Sequence, residues 1–143
     1  MALVERSVLV GYSAERMYRL VEDVERYPEF LPWCGGARVE LRDGTLTRAS
    51  LLVVYHGVRQ SFETENRGEP PELIEIRLVR GPFRHLDGVW RFTPLAAHAC
   101  KIEFRLQYEF ASRILDKIVG PVFKHIANTF VDAFMQRAEQ LYG

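Results

Sequence analysis

The stretch ACKIEFRLQYEF, residues 99–110, alternates between apolar and polar side chains without interruption. Successive side chains of a β-strand point to opposite faces, so this segment has one face that meets water and one that is strongly apolar. A strand of this kind is not stable alone, so its apolar face must be covered by another part of the chain. The apolar side chains are those of Cys100, Ile102, Phe104, Leu106, Tyr108 and Phe110.

The segments before this strand predict a meander of antiparallel strands. Asp43-Gly44 and His56-Gly57 are two-residue turn signals, and Gly68-Glu69-Pro70-Pro71 marks a third turn. Between these turns the residues alternate or form short apolar runs typical of strands. An initial strand and the meander together predict strands over residues 3–11, 37–42, 46–55, 58–66, 72–80, 84–93 and 99–110.

The last 32 residues change from the strand period to the helix period. Their apolar side chains recur every three or four residues, which predicts one long helix from Ser112, a good N-cap, to Leu141. A helix over this whole segment would be about 45 Å long at 1.5 Å per residue. Gly120-Pro121 leaves two alternatives, a kinked helix or a main helix that begins near Pro121. The apolar stripe consists of Leu115, Val119, Val122, Ile126, Phe130, Ala133, Phe134 and Leu141.

Two further segments lie near the N-terminus. Ser13 precedes apolar residues at helical spacing, which predicts a helix over about residues 14–25. Residues 27–36, YPEFLPWCGG, then place Tyr27, Phe30, Leu31 and Trp33 in a short segment that two prolines interrupt. Loops are usually polar, so this apolar one either packs into the core or forms a lid over a binding site.

The element order favours an α+β fold in one domain, residues 1–143. The long helix needs a partner surface, and the apolar face of the sheet is the only large one, so a curved antiparallel sheet wrapped around the C-terminal helix is expected. A formal net charge of zero does not suggest generic binding to DNA or other nucleic acid, or to an anionic membrane, although a local basic patch is left open. Two cysteines without metal-ligand spacing, no signal-like N-terminus and no long apolar run predict a cytoplasmic protein without an integral membrane segment.

Three longer stretches resemble the START-like coenzyme Q-binding family, within the polyketide cyclase and lipid-transport superfamily. They are SVLVGYSAERMYRLVEDVERYPEFLPWCGGARV, VRGPFRHLDGVWRFTPL, and CKIEFRLQYEFASRIL with VFKHIANTFVDAFMQRA, and the resemblance extends in order over essentially the whole chain. Two parts of the pattern are specific. One is YPEFLPWC at residues 27–34, and the other is met by Gly81, Pro82, Phe83, Gly88, Trp90, Phe92, Pro94 and Leu95.

The resemblance implies the helix-grip (Bet v 1-like) fold, with an apolar tunnel between sheet and helix. It implies two activities, since family members bind ubiquinone in support of respiratory electron transport, and the bacterial RatA members are toxins that bind the large ribosomal subunit and block subunit joining. No further cofactor is implied. A transient contact with a membrane is left open.

Side-chain direction then selects the residues expected to line the tunnel and its mouth. Each of them is also explained as ordinary core. Tyr55, Tyr108 and Gln60 are candidates for polar contacts with a quinone. The strand residues are Leu51, Val53, Tyr55, Phe62, Ile76, Leu78, Trp90, Phe104, Leu106 and Tyr108. The helix residues are Leu115, Val119, Val122, Phe123, Ile126 and Phe130, and the mouth residues are Phe30, Leu31, Trp33 and Phe83.

The sequence contains no recognisable catalytic motif. None of its four histidines belongs to a metal-binding or nucleophile pattern, so we expect a non-enzymatic protein that binds ubiquinone or a related lipid, with a polyketide cyclase-like enzyme as a remote alternative. Ribosome binding is the other alternative and needs a basic surface. The candidates are Arg77, Arg80, Arg84, Arg91, Lys101, Arg105, Lys117 and Lys124, although neighbouring glutamates also suggest ordinary cross-strand ion pairs.

Overall fold

The computed structural model describes residues 1–143 and contains seven strands and two α-helices. A short 3-10 helix, Val24–Glu29, follows the first α-helix. The strands are β1 (Ala2–Val10), β2 (Cys34–Asp43), β3 (Leu46–Tyr55), β4 (Val58–Glu69), β5 (Leu73–Arg80), β6 (Phe83–Ala96) and β7 (Ala99–Phe110). The helices are α1 (Ala14–Glu22) and α2 (Arg113–Tyr142).

All seven strands form one antiparallel sheet in the order β1-β7-β6-β5-β4-β3-β2. Sequential strands are neighbours except at β1, which pairs with β7 and so brings the first and the last strand together. The register places Trp90 opposite Phe104 and Phe92 opposite Ile102, so that the large apolar residues share one face. This face and α2 enclose a core of 33 buried apolar residues, in the helix-grip arrangement that the sequence predicts.

Helix α2 is continuous from Arg113 to Tyr142, so the alternative in which it begins at Pro121 is wrong. The predicted N-cap is confirmed, because the Ser112 hydroxyl accepts a hydrogen bond from the Leu115 backbone N–H at 3.2 Å. The middle of the helix is tied to the edge strand β1. There the Arg6 guanidinium donates to both carboxylate oxygens of Asp132, at 2.7 and 3.1 Å, and to the Asn128 carbonyl at 2.9 Å.

The aromatic segment after α1 packs inward. Leu31 and Trp33 are almost fully buried, and Phe30 packs edge-on against Phe134 of α2 with ring centroids 5.1 Å apart. The Tyr27 hydroxyl donates to the Val21 carbonyl, and burial raises the pKa of this tyrosine. Of the two alternatives for this segment, the structure favours packing into the core, with Tyr27 and Trp33 bordering the cavity described below.

The predicted strand boundaries agree best where the turn signals are strongest. Strands β3 and β7 have the predicted bounds, whereas β2, β4 and β6 extend further than predicted. In β4 the extension comprises Arg67, Gly68 and Glu69, since this stretch pairs with β5 as a strand although glycine is rare in strands. The predicted helix over residues 14–25 is divided into α1 and the start of the 3-10 helix.

Candidate functional site

A cavity of about 90 Å³ lies between the sheet and α2, lined mostly by apolar side chains. Ten of its lining residues are among those predicted from the sequence. The β-sheet and the 27–36 segment contribute Trp33, Leu51, Phe62, Ile76, Trp90, Phe104 and Leu106, and α2 contributes Phe123, Ile126 and Phe130. The sheet and the terminal helix therefore do stand apart, as the tunnel prediction requires.

The cavity is smaller than the tunnel that the resemblance implies. Pockets for small ligands are about 300–1,000 Å³, so the space holds several water molecules or a small group rather than a long isoprenoid chain. A larger ligand would have to displace side chains that border the space, such as Phe130, which is half-buried and touches both Trp33 and Trp90.

One end of the cavity is polar, which the sequence analysis did not anticipate. The end beside α1 is lined by the side chains of Tyr18, Glu22, Thr45, Thr47, Thr64 and Asn66. Thr64 donates a hydrogen bond to the Asn66 side-chain oxygen at 3.0 Å. Glu22 and Thr45 are exposed, so the cavity reaches the surface between the end of α1 and the beginning of β3. It thus has a hydroxyl-rich opening and an apolar interior.

Tyr18 occupies the polar end and lies against β4. A Cβ atom at Gly68 would lie 2.0 Å from the Tyr18 hydroxyl oxygen, so a side chain there and this tyrosine cannot share the space. Burial, assisted by the nearby charge of Glu22, raises the pKa of Tyr18 to about 12. Its hydroxyl therefore stays protonated at neutral pH and can donate a hydrogen bond to a carbonyl or hydroxyl oxygen that enters the cavity.

Phe83, predicted to lie at the mouth, belongs to an aromatic cluster and does not border the cavity. Phe83 stacks on Phe110 with centroids 4.9 Å apart, and Phe123 lies 5.0 Å from Phe83 and 4.8 Å from Tyr108. These ring contacts place Phe83 against β7 and the N-terminal part of α2, away from the cavity. The opening lies instead beside α1.

Ten predicted lining residues do not border the cavity. Phe30 packs against Phe134, Leu31 is buried in the core, and Tyr55 stacks on His125 at the β3–β4 hairpin with centroids 5.8 Å apart. Gln60, suggested as a polar contact, is also absent from the cavity wall. The other residues that lie away from the cavity are Val53, Leu78, Phe83, Tyr108, Leu115, Val119 and Val122.

The missed lining residues have a recognisable signal in β3 and β4. Thr47, Ala49 and Leu51 alternate along β3, and Ala49 lies directly opposite Thr64 of β4. Small and hydroxyl-bearing residues at inward positions of two adjacent strands leave space and hydrogen-bonding groups that a packed core lacks. The remaining lining residues that the sequence analysis missed are Val21, Val24, Tyr27, Gly68, Ile74, Leu86 and Ala127.

The outer face of the sheet carries the predicted arginines in two distinct states. Arg80 and Arg84 are ion-paired, with Glu63 at 2.7 Å and Glu109 at 3.8 Å. Arg77, Arg91 and Arg105 instead line a shallow groove across β5, β6 and β7, together with Glu75 and Asp87. The register places an acidic residue opposite each of these three arginines, but no carboxylate oxygen lies within 4.0 Å of any of their guanidinium nitrogens. We call Arg77, Arg91 and Arg105 the arginine groove.

The structure holds no group of three or more His, Cys, Asp and Glu side chains that could bind a metal ion. Neither helix is both long and apolar enough to cross a membrane. Both cysteines are buried free thiols, and burial raises the pKa of Cys34 and that of Cys100, the latter to about 11.

Comparison with known proteins identifies the family. Residues 10–135 match the model of the family described as polyketide cyclase / dehydrase and lipid transport. The chain belongs to this family. Two relatives named ribosome association toxin RatA are similar over the whole chain. The protein of Pseudomonas aeruginosa is 46% identical over 98% of this chain and 97% of its own length, and that of Escherichia coli is 44% identical over 100% and 90%.

A third relative has a different name. The mitochondrial coenzyme Q-binding protein COQ10 homolog B of Xenopus laevis is 31% identical over 96% of this chain and 58% of its own length. The names of the similar proteins thus describe ribosome association and coenzyme Q binding, as the sequence resemblance implies. The RatA proteins of Pseudomonas aeruginosa and Escherichia coli are more similar to this chain than the COQ10 homolog is.

Solved structures confirm the helix-grip fold. The Zhui aromatase/cyclase of Streptomyces sp. R1128 superposes with a TM-score of 0.81 at 18% identity and covers 97% of this chain and 94% of its own. A START superfamily protein of Mycobacterium smegmatis has a TM-score of 0.76 at 25% identity and covers 97% and 98%. At 18% identity the likeness to a cyclase shows the shared fold and transfers no reaction to this chain.

Proposed function

We propose that this protein associates with the ribosome, by binding the large subunit and hindering its joining to the small one. The observation that carries the proposal is the 44–46% identity to RatA proteins along the full length of the chain. The coenzyme Q-binding relative is more distant at 31%. Ribosome association, rather than the quinone-binding role favoured by the sequence analysis, is therefore the principal function proposed.

The arginine groove is the surface that we assign to this contact. Guanidinium groups bind phosphate oxygens through paired hydrogen bonds, and an arginine already held by a carboxylate is less available for this. Arg77, Arg91 and Arg105 have no carboxylate oxygen within 4.0 Å, whereas Arg80 is held by Glu63. Ribosomal RNA presents phosphates along its entire surface, and a shallow groove with three guanidiniums suits its backbone.

The test is sedimentation of the protein with purified large subunits over a range of salt concentrations. The variant Arg77→Gln/Arg91→Gln/Arg105→Gln should bind more weakly, and the slope of log affinity against log salt should fall by about two to three, since each phosphate contact contributes about 0.7–0.9. A charge-matched control is Arg19→Gln/Arg38→Gln/Arg42→Gln, which removes three exposed arginines from α1 and β2.

Two results would count against this proposal at different levels. If the wild-type protein does not sediment with large subunits at low salt, ribosome association itself is refuted. If the wild type binds and the groove variant and the control lose affinity equally, the protein binds ribosomes through another surface, and only the assignment of the groove fails.

The cavity supports a second candidate function, the binding of an apolar molecule with one polar end. Its interior is apolar and its opening carries the hydroxyls of Tyr18, Thr47 and Thr64, an arrangement that suits a quinone ring or a similar head group. Such binding would be non-enzymatic and would require the cavity to widen. Organic extraction of the native protein and mass spectrometry test it, because the absence of any bound lipid or quinone would refute this candidate and leave ribosome association untouched.

A further inference from the structure

The first half of α2 exposes large apolar side chains to solvent. Ile114 is 70% exposed and Ile118 63%, and the exposed Pro121 follows at the same helical spacing of i, i+4 and i+7. Single exposed apolar residues are common on proteins, but two isoleucines one turn apart form a continuous stripe. The opposite face of the same turns is buried through Val119 and Phe123, so the stripe points directly away from the core.

Cations flank this stripe along one side. Arg113, Lys117 and Lys124 are exposed, repeat at i, i+4 and i+11, and have no carboxylate oxygen within 4.0 Å. The acidic residues on α2 are few. Asp116 lies beside Gly120, Asp132 is held by Arg6, and Glu139 lies in the last turn. The exposed surface of residues 113–125 is thus apolar along its centre and positive along one edge, and we call it the α2 face.

We propose that the α2 face docks on the surface of an anionic lipid bilayer. A helix that lies in a membrane interface buries an apolar stripe below the headgroups while flanking lysines and arginines bind anionic headgroups. The α2 face has both parts. An RNA partner would use the cations but would leave the two isoleucines without an apolar surface to contact, so charge complementarity and apolar burial together favour the bilayer.

This inference is independent of ribosome association, because it concerns another surface. Residues 113–125 lie on α2, whereas the arginine groove lies on the outer face of β5, β6 and β7. The isoleucines are exposed in the folded protein, so replacing them removes no core contact and the fold should be retained.

The experiment is co-flotation of the full chain with vesicles of equimolar phosphatidylcholine and phosphatidylglycerol, compared with vesicles of phosphatidylcholine alone. The wild type should bind the anionic vesicles in preference. Ile114→Ser/Ile118→Ser should lower its affinity at least tenfold, because burial of the two side chains drives insertion. Lys117→Gln/Lys124→Gln should lower it about fivefold for each charge removed and should reduce the preference for phosphatidylglycerol, of which Arg113 retains a part.

A matched control replaces two exposed leucines outside α2, as Leu9→Ser/Leu95→Ser, and should bind vesicles like the wild type. The inference is overturned if the wild type does not bind anionic vesicles, or if the isoleucine variant binds them as well as the control does. It is equally overturned if the isoleucine variant loses sedimentation with ribosomal subunits while keeping its affinity for vesicles, because the α2 face would then be a ribosomal contact.

Discussion

Replacing Ala49 by valine tests whether the cavity exists in the folded protein in solution. Ala49 lies on β3, is 2% exposed and borders the cavity opposite Thr64, which has nearly the same shape as valine. The substitution adds two methyl groups to a wall that faces empty or hydrated space. A strand position also favours valine over alanine, so the backbone has no reason to resist the change.

The expected gain in stability follows from the size of the cavity. At about 24 cal/mol per Å³, an apolar void of about 90 Å³ destabilises the fold by at most about 2 kcal/mol. Burial of two methyl groups contributes about 1.6 kcal/mol at about 0.8 kcal/mol each. Because the cavity is partly open and one end is polar, we expect the free energy of unfolding to rise by about 1 kcal/mol, below both limits.

The assay is equilibrium unfolding in urea, with thermal unfolding as a second readout. A gain of about 1 kcal/mol should raise the melting temperature by about 2–4 °C for a chain of this size. The control Ala96→Val, at an exposed position of β6, measures strand propensity alone. A loss of more than about 1 kcal/mol in Ala49→Val would refute the reasoning, because overpacking of a filled core has that cost. If an apolar molecule is extracted from the wild type, the variant should retain less of it.

Two other substitutions test particular contacts. The Arg6 guanidinium lowers the pKa of Asp132, so their pairing stabilises the fold above the usual carboxyl pKa of 3.8 and is lost as the pH falls below it. Asp132→Asn should therefore lower the free energy of unfolding by about 1 kcal/mol at neutral pH and leave it unchanged in strong acid. An equal loss at both pH values in urea unfolding would contradict this. Gly68→Ala should destabilise the protein by about 1–3 kcal/mol because its Cβ meets the Tyr18 hydroxyl. In a Tyr18→Phe background the cost should be smaller, and an undiminished cost in that double variant would show that Tyr18 is not the obstacle.

The fold was predictable because the spacing of apolar residues along the chain, together with turn and capping residues, specifies each strand and helix locally. The alternation of residues 99–110 needed no knowledge of any partner strand, and the Ser112 N-cap marked the beginning of α2 directly. The passage of α2 through Pro121 could not be predicted in the same way. A proline costs one backbone hydrogen bond, and whether packing of Val119 and Phe123 outweighs that cost depends on the sheet beneath them.

The candidate site was only half predictable for a different reason. Side-chain direction tells which residues face inward, but the cavity is the space that inward residues fail to fill. Phe83 and Tyr108 face inward as predicted, yet they meet Phe123 and close their end of the sheet. At the other end the inward positions belong to small or polar residues, Ala49 and Thr64 among them, and space remains. The relative size of side chains from different strands decides the outcome.

The strands that form the cavity wall also carry the arginine groove, yet the two can be tested separately. Successive residues of a strand face opposite sides, so Arg105 of the groove lies between Phe104 and Leu106 of the cavity wall, and Arg91 follows Trp90. Substitution of an outward arginine leaves the inward side chains in place, and Ala49→Val leaves the outer face unchanged. If ribosome association nevertheless changed when the cavity was filled, the effect would have to pass through the sheet itself. A cavity variant with wild-type ribosome binding would instead establish two independent sites on one sheet.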